Sequence, residues 1–184
     1  MNYRGVLFLL GRMQLALAVA LLVPAAAAHF LGGEETTAFL VAAGIAGLAG
    51  GGCSWWFHQP ADFKFGRRDA FVLVSAAWIT ASVYGAIPYV LIKGFGFVVD
   101  GLFESASGFT TTGASILADI ESESAALVLW RSLTQWLGGM GIIVLGIAIL
   151  PKLAVGGMQL LGAEAPGPTA EKLTPRIAQT AKFL

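Results

Sequence analysis

The residues best suited to chemistry lie in a threonine- and glycine-rich stretch near the middle of the chain. Residues Asp100–Ser115 read DGLFESASGFTTTGAS, and the Thr/Gly run within them has no hydrophobic side chain to bury. Backbone carbonyl and hydroxyl oxygens can replace the water shell of a permeating cation. The stretch therefore predicts one wall of a cation-selectivity filter, built from the carbonyls of five consecutive residues: Thr110, Thr111, Thr112, Gly113 and Ala114.

The residue types around this run favour cations over anions. Glycine accepts φ and ψ values that turn successive carbonyls the same way, and threonine adds neutral hydroxyl oxygens. Asp100 is a suitable N-cap for a short helix over Gly101–Phe109, whose partially negative C-terminal end would lead into the run. The alternative is a surface hairpin whose Ser and Thr side chains cap helices. One loop cannot surround an ion, so a filter needs about four such loops.

The composition indicates a membrane protein. Of the 184 residues, 57% are hydrophobic and only 12% are charged, whereas a soluble domain carries about 25% charged residues. The net charge is zero and no basic stripe with interleaved aromatics occurs, so we expect no nucleic-acid partner. Cys53 stands alone, and neither a metal-ligand motif nor a nucleophile–base pair is visible, so we do not expect an enzyme.

Four apolar segments are long enough to cross a bilayer. We predict helices at Val6–Leu31, Thr37–Phe57, Ala70–Ile92 and Ala125–Leu150, the last stopping at Pro151. The helix predicted over Gly101–Phe109 is far too short to cross a hydrocarbon core of about 30 Å. Beyond Pro151 we expect a Gly/Pro-rich linker to Thr174, followed by the start of another helix at Pro175–Leu184.

Small residues mark one face of the second segment. Gly47 and Gly51 are four residues apart, and Ala43 extends the same row backward. This spacing lets a neighbouring helix approach closely, so we interpret it as a packing surface.

The basic residues predict the orientation, because Lys and Arg are enriched on the cytoplasmic side. Nine of them fall at the N-terminus, in the link after the second segment, or in the C-terminal stretch: Arg4, Arg12, Lys64, Arg67, Arg68, Lys152, Lys172, Arg176 and Lys182. This pattern predicts four spans with both termini inside. If residues 101–115 crossed completely, the C-terminal basic residues would lie outside, so we expect a re-entrant hairpin.

Charged residues near the hairpin have two predicted roles. Glu104, Asp119, Glu121 and Glu123 would raise the local cation concentration at the mouth of the filter. Arg131 lies within the fourth segment, and we predict a structural ion pair with Glu104 or Asp119; the alternative is a role in gating.

The sequence also resembles a known family, the TrkH/TrkG membrane subunits of bacterial Trk potassium-uptake systems within the Trk/Ktr/HKT superfamily. The matching stretches are FESASGFTTTGAS (Phe103–Ser115), WRSLTQWLGGMGIIVLGIAILP (Trp130–Pro151), GGMQLLGAEAPGP (Gly156–Pro168) and PRIAQTAK (Pro175–Lys182). Members carry four helix–pore-loop–helix repeats in one chain, arranged like a potassium channel, after two extra helices.

The resemblance implies an all-α membrane protein with three regions. Residues 1–60 would be the extra pair of transmembrane helices, residues 61–151 the first helix–re-entrant pore loop–helix repeat, and residues 152–184 a cytoplasmic linker with the start of the next repeat. Three repeats would be lacking, so the chain is expected to be an N-terminal fragment or a truncated product. By position, Thr111, Thr112 and Gly113, flanked by Thr110 and Ala114, would supply the first repeat's share of the filter.

The resemblance also implies the transported ion and the partners. The ion would be potassium, moved across the bacterial inner membrane by a multi-pass protein with a cytoplasmic N-terminus. The expected partners are membrane lipid, a second copy in a homodimer, and a TrkA-like cytoplasmic nucleotide-binding subunit. Two alternatives stay open: a secondary transporter with a broken-helix substrate site, and a non-conducting truncated or regulatory membrane subunit.

Overall fold

The computed structural model describes residues 2–59 and 66–162, with the backbone helix alone for residues 67 and 144–162. The described chain is helical: α1 (Tyr3–Phe30), α2 (Thr36–Trp56), α3 (Arg67–Lys93), the 3₁₀ turn η1 (Phe95–Phe97), α4 (Val98–Phe109) and α5 (Ala125–Gly162). Three helices in the residues with described side chains, α1, α2 and α3, are long and apolar enough to cross a membrane. The chain divides into two compact units, residues 1–137 and 138–184, and the site described below lies in the first.

Two predicted helix boundaries are wrong. The short helix begins at Val98, so Asp100 lies in its first turn and Phe97 is the N-cap. The last helix runs past Pro151 to Gly162, where a linker was expected. Proline removes one intrahelical hydrogen bond, but an apolar segment that left the helix would expose several unpaired backbone groups. The helix predicted at 175–184 lies outside the described residues.

Glycines let α1 and α2 pack closely, at a position shifted from the predicted one. A Cβ on Gly11 would lie 2.7 Å from the Gly50 carbonyl oxygen, and a Cβ on Gly50 would lie 2.7 Å from the Gly11 carbonyl oxygen. The predicted pair makes only ordinary contacts, since a Cβ on Gly47 would be 3.7 Å from Ala18. The buried face of α2 therefore follows Phe39, Ala42, Ala43, Ala46 and Gly50.

A few polar contacts join helices whose surroundings are apolar. The Gln14 side-chain amide on α1 donates to the Thr80 hydroxyl on α3 at 2.5 Å. The Asp69 carboxylate accepts from the backbone amides of Asn2 (2.9 Å) and Gly66 (2.9 Å), so it ties the N-terminus to the start of α3. These contacts place the starts of α1 and α3 at the same end of the first unit.

Trp130 on α5 connects the helices that hold the site. Its ring is fully buried, and its indole N–H donates to the Gly85 carbonyl on α3 at 3.0 Å. The ring meets Phe109 on α4 edge to face at 6.3 Å and Phe39 on α2 at 6.5 Å between centroids. Such aromatic pairs add about 0.5–1.5 kcal/mol each beyond area burial. One side chain thus fixes the end of α4 against its neighbours.

The Gly11–Gly50 crossing gives a first prediction. Gly50→Ala places a Cβ against the backbone of α1, so we expect a loss of about 1–3 kcal/mol in the free energy of unfolding. Gly44→Ala on the same helix is the control, because a Cβ there meets nothing within 4 Å. Denaturation of both variants in detergent micelles measures the difference. If Gly50→Ala is as stable as Gly44→Ala, the close crossing is not required.

Candidate functional site

Small residues let α4 lie tightly against α3 and α5. A Cβ on Gly101 would be 3.1 Å from the Cβ of Tyr89, and a Cβ on Gly85 would be 2.5 Å from the Ser105 hydroxyl oxygen. On the α5 side, a Cβ on Gly108 would collide with the side chain of Thr134, which is fully buried. These approaches fix the position of the C-terminal end of α4.

That end closes on itself through backbone hydrogen bonds. The Thr111 amide donates to the Gly108 carbonyl (3.0 Å), and the Thr112 amide donates to the Ser107 carbonyl (3.0 Å). This pair of bonds is the Schellman motif, in which the residue after the helix cap is left-handed. Thr111 is that residue, with φ of +58°. The Gly113 amide adds a longer bond to the Ser107 carbonyl (3.4 Å).

The same bonds set the direction of three carbonyls. In a trans peptide unit the N–H and C=O bonds point in opposite directions, and the described residues contain no cis peptide bond. Because the amides of residues 111–113 point back to α4, the carbonyls of Thr110, Thr111 and Thr112 point away from it. Within the described part of the chain, none of these three carbonyls accepts a hydrogen bond.

Two threonine hydroxyls reinforce the turn. The Thr110 hydroxyl donates to the Ala106 carbonyl at 2.7 Å, and the Thr110 and Thr112 hydroxyl oxygens are 2.8 Å apart. Since a hydroxyl has one proton, Thr110 has none left to give, and Thr112 must be the donor to Thr110. The Thr112 oxygen therefore keeps its lone pairs available on an exposed surface.

Side chains from α4 and α5 hold the chain after the turn. The Arg131 guanidinium donates to the carbonyl of Gly113 at 2.9 Å and of Ala114 at 3.4 Å. The Ser107 hydroxyl also donates to the Ala114 carbonyl, at 2.6 Å. The five residues singled out in the sequence thus form two groups: carbonyls 110–112 point away from α4, and carbonyls 113 and 114 face protein donors. Gly113 has a φ of +76°, which glycine adopts without strain.

Glu104 also holds the chain after the turn, and we call Glu104 and Arg131 together the buried clamp. One carboxylate oxygen accepts from the Ser115 hydroxyl (2.7 Å) and from the Ile116 amide (2.7 Å). The other oxygen accepts from Arg131, which confirms the predicted structural ion pair with Glu104 as the partner, in place of Asp119. Glu104 is 0% exposed and Arg131 8%. The pair binds four consecutive residues of the returning chain, and its two charges cancel beside the Thr/Gly run.

The buried position of Glu104 corrects one prediction and shows what the sequence did not reveal. We expected this carboxylate to attract cations at a solvent-exposed mouth, but it is enclosed and paired. Asp119 and Glu121 are exposed, and Glu123 pairs with Lys93, with 2.6 Å between Nζ and Oε1. Ser107 was not singled out, although its spacing of three residues from Glu104 places both on one helix face.

Three membrane-length helices, and a short helix that ends in an oxygen-rich turn, define an all-helical membrane protein. Residues 37–184 match the family model described as TrkH, cation transport protein. Since the match covers most of the chain, the chain belongs to the TrkH family of cation transport proteins. The predicted resemblance to this family is thereby confirmed.

Named relatives give the same result. The chain is 38% identical to the Trk system potassium uptake protein TrkH of Escherichia coli K12, over 100% of this chain and 38% of the relative. It is 37% identical to the Trk system potassium uptake protein TrkI of Halomonas elongata, over 98% of this chain and 36% of the relative. The relatives are transport proteins, and the chain spans less than two-fifths of their length.

A solved structure resembles the fold. The crystal structure of the potassium transporter TrkH from Vibrio parahaemolyticus matches with a TM-score of 0.80 and 30% identity, over 100% of this chain and 36% of that chain. The all-helical architecture derived from the sequence is therefore shared with a transporter of this family.

The buried clamp gives a second prediction. Glu104→Gln keeps the side-chain shape but leaves the Arg131 charge buried without a counter-ion, so we expect a loss of about 3–5 kcal/mol in the free energy of unfolding. Glu123→Gln is the matched control, because it breaks a more exposed pair with Lys93 that is worth at most about 1 kcal/mol. Detergent-solubilised variants would be compared by denaturant unfolding. Equal losses would contradict a structural role for the buried pair.

Proposed function

We propose that this chain takes part in potassium uptake across the bacterial inner membrane. In this proposal the stretch from Thr110 to Ala114 supplies one of four loops of a channel-like filter. The supporting observation is the set of three carbonyls, of Thr110, Thr111 and Thr112, that point away from α4 and accept no hydrogen bond from the described residues. The relatives named above are potassium uptake proteins, which is why we choose potassium among the monovalent cations.

The electrostatics of the segment suit a monovalent cation. Neutral carbonyl and hydroxyl oxygens can replace the water around the ion while binding it weakly enough for release. The C-terminal end of α4 adds a partial negative charge next to these oxygens. The Arg131 charge, which would repel a cation, is cancelled by Glu104. Gly113 and Ala114 would act mainly by fixing the chain that follows the ligands.

We further propose that residues 61–151 form a helix–re-entrant loop–helix unit, made of α3, α4 with the chain that returns from it, and α5 as far as Pro151. In the described residues, α4 has 12 residues, or about 18 Å of helix, which is too short to cross a bilayer. Its tight packing on α3 and α5 supports a position at membrane depth, where backbone that is not helical must be enclosed by protein or water. Residues 1–60 would be a supporting helix pair, and residues 152–184 a cytoplasmic continuation.

The proposal includes an orientation and partners. The first turns of α1 and the start of α3 share one end of the unit, with Arg4 and Arg68 there, so this end would face the cytoplasm. A second copy in a homodimer, membrane lipid and a TrkA-like nucleotide-binding subunit are the proposed partners. A secondary transporter for anions is less favoured, because a helix C-terminus, not an N-terminus, adjoins the candidate site.

A substitution at Gly113 tests the proposed function in the protein that carries this chain. Gly113 has a positive φ, which aspartate tolerates better than most residues. The Gly113→Asp substitution therefore mainly adds a full negative charge, which would bind the ion too tightly for release. We expect potassium uptake in a transport-deficient cell to fall by about tenfold or more, equivalent to about 1.4 kcal/mol or more of barrier.

The matched control is Gly32→Asp. Gly32 also has a positive φ (+69°) and lies in the turn between α1 and α2, where a Cβ meets nothing within 4 Å. Both substitutions therefore place aspartate at a positive φ, but Gly32 lies outside the candidate site. We expect Gly32→Asp to keep normal uptake. Undiminished and equally selective uptake by Gly113→Asp would refute the filter assignment.

A further inference from the structure

Two arginines of α1 lie on one side of the helix, at the end where α1 begins and α2 ends. Arg4, Phe8 and Arg12 follow one another at intervals of four residues, which aligns them along the helix, and we call these three residues the arginine face. Both arginine side chains are exposed. The two ion pairs in the described part of the chain lie elsewhere, so neither Arg4 nor Arg12 has an acidic partner among those residues.

Phe8 brings a third polar group next to this face. The Arg12 guanidinium carbon lies 5.9 Å from the centre of the Phe8 ring, a distance at which a cation is attracted to an aromatic face. The His58 ring, just after the end of α2, meets the same phenyl ring edge to face at 5.6 Å between centroids. His58 is exposed as well. A guanidinium and an imidazole, which both carry N–H donors, are therefore held at one aromatic side chain.

The length of α1 places these groups at the boundary of a bilayer. About 27 Å of helix separates Arg12 from Phe30 at the other end, which is close to the thickness of the hydrocarbon core, about 30 Å. Phe8 is about 6 Å beyond Arg12, within the layer where lipid headgroups lie. At the end of α2, Trp55 and Trp56 are 78% and 71% exposed, as is typical of tryptophans at the interface. The arginine face is therefore at the depth of phospholipid phosphates.

Little negative charge from the protein competes for this position. In the chain that the structure describes, Asp69 is the acidic residue at this end, and its carboxylate is buried and accepts from two backbone amides. The other acidic residues that the structure describes lie in the turn after α1, in α4, or between α4 and α5. A phosphate at the arginine face would supply the missing negative charge and would accept charge-assisted hydrogen bonds.

We propose that the arginine face and His58 bind the headgroup of an acidic phospholipid. The Arg12 guanidinium and the His58 imidazole would donate to the phosphate oxygens, and Arg4, about two turns closer to water, would add positive charge on the aqueous side. Basic residues beside membrane-crossing helices attract anionic lipids in this way. The inference requires only that α1 and α2 cross the bilayer, so it stands apart from the proposed filter.

The tryptophans at the end of α2 provide a local measurement. The protein that carries this chain would be reconstituted in phosphatidylcholine vesicles that contain brominated phosphatidylglycerol or brominated phosphatidylcholine, because bromine quenches tryptophan fluorescence on contact. The fluorescence that is lost in a Trp55→Phe/Trp56→Phe protein is the local signal. We expect phosphatidylglycerol to bind here about fivefold more strongly than phosphatidylcholine, the effect of one basic residue near an anionic surface.

Three substitutions separate a defined site from general surface charge. Arg12→Gln should bring the binding ratio of the two lipids close to one, whereas Arg12→Lys keeps the charge and should retain most of the preference. The matched control is Arg68→Gln, which removes an exposed arginine at the same end of the unit, but from α3. We expect this control to keep the preference for phosphatidylglycerol.

Three results would overturn the inference. The first is equal quenching by the two brominated lipids in the unchanged protein. The second is an undiminished preference for phosphatidylglycerol in Arg12→Gln, whose exposed position makes unfolding of this variant an unlikely cause of any loss. The third is an equal loss in Arg12→Gln and Arg68→Gln, because such a result would assign the preference to surface charge alone.

Discussion

The ion pair between Glu104 and Arg131 is the interaction on which the local structure depends. A buried guanidinium or carboxylate is costly unless it is paired and its remaining hydrogen bonds are satisfied. Here both conditions hold, since Arg131 also binds the Gly113 and Ala114 carbonyls, and Glu104 also binds Ser115 and Ile116. The polar backbone of the returning chain supplies the bonds that the charges need. The buried charges therefore hold the returning chain in place, and the returning chain in turn satisfies the hydrogen bonds of the buried charges.

A second constraint is the narrow space around α4. Glycine at 85, 101 and 108 lets the helix approach α3 and α5 to distances that an added Cβ would prevent. Trp130 then fills the space near the helix end and binds the Gly85 carbonyl. The end of α4 is thus held by packing, and the chain that follows the turn is held by the ion pair. Preorganisation of this kind is what the proposed ion site would require.

The sequence was sufficient for the helical class, for three of the four predicted membrane-length helices and for the family, because apolar length and a distinctive motif are local signals. It also anticipated an ion pair of Arg131 with Glu104 or Asp119, since a charge within an apolar segment needs a partner, and the structure shows Glu104 as that partner. It failed where tertiary packing decides. The tight α1–α2 crossing at Gly50, in place of Gly47, depends on the face that α1 presents. The helix α5 continues through Pro151 because an apolar segment that left the helix would have several backbone N–H and C=O groups without hydrogen bonds.

In the candidate site, too, local sequence predicted some features and tertiary packing decided the others. The residue types in Thr110–Ala114 indicated oxygen ligands, but not that two of the carbonyls face Arg131 and Ser107, because this follows from the Schellman turn and from α5. All the hydrogen bonds that direct the carbonyls of residues 110–112 come from residues 106–113. The direction of these three carbonyls is consequently determined within residues 106–113 alone. In the proposed filter of four loops, contacts between loops would therefore need to set only the width of the opening. The sequence of each loop could then change without disturbing the carbonyl directions in the others.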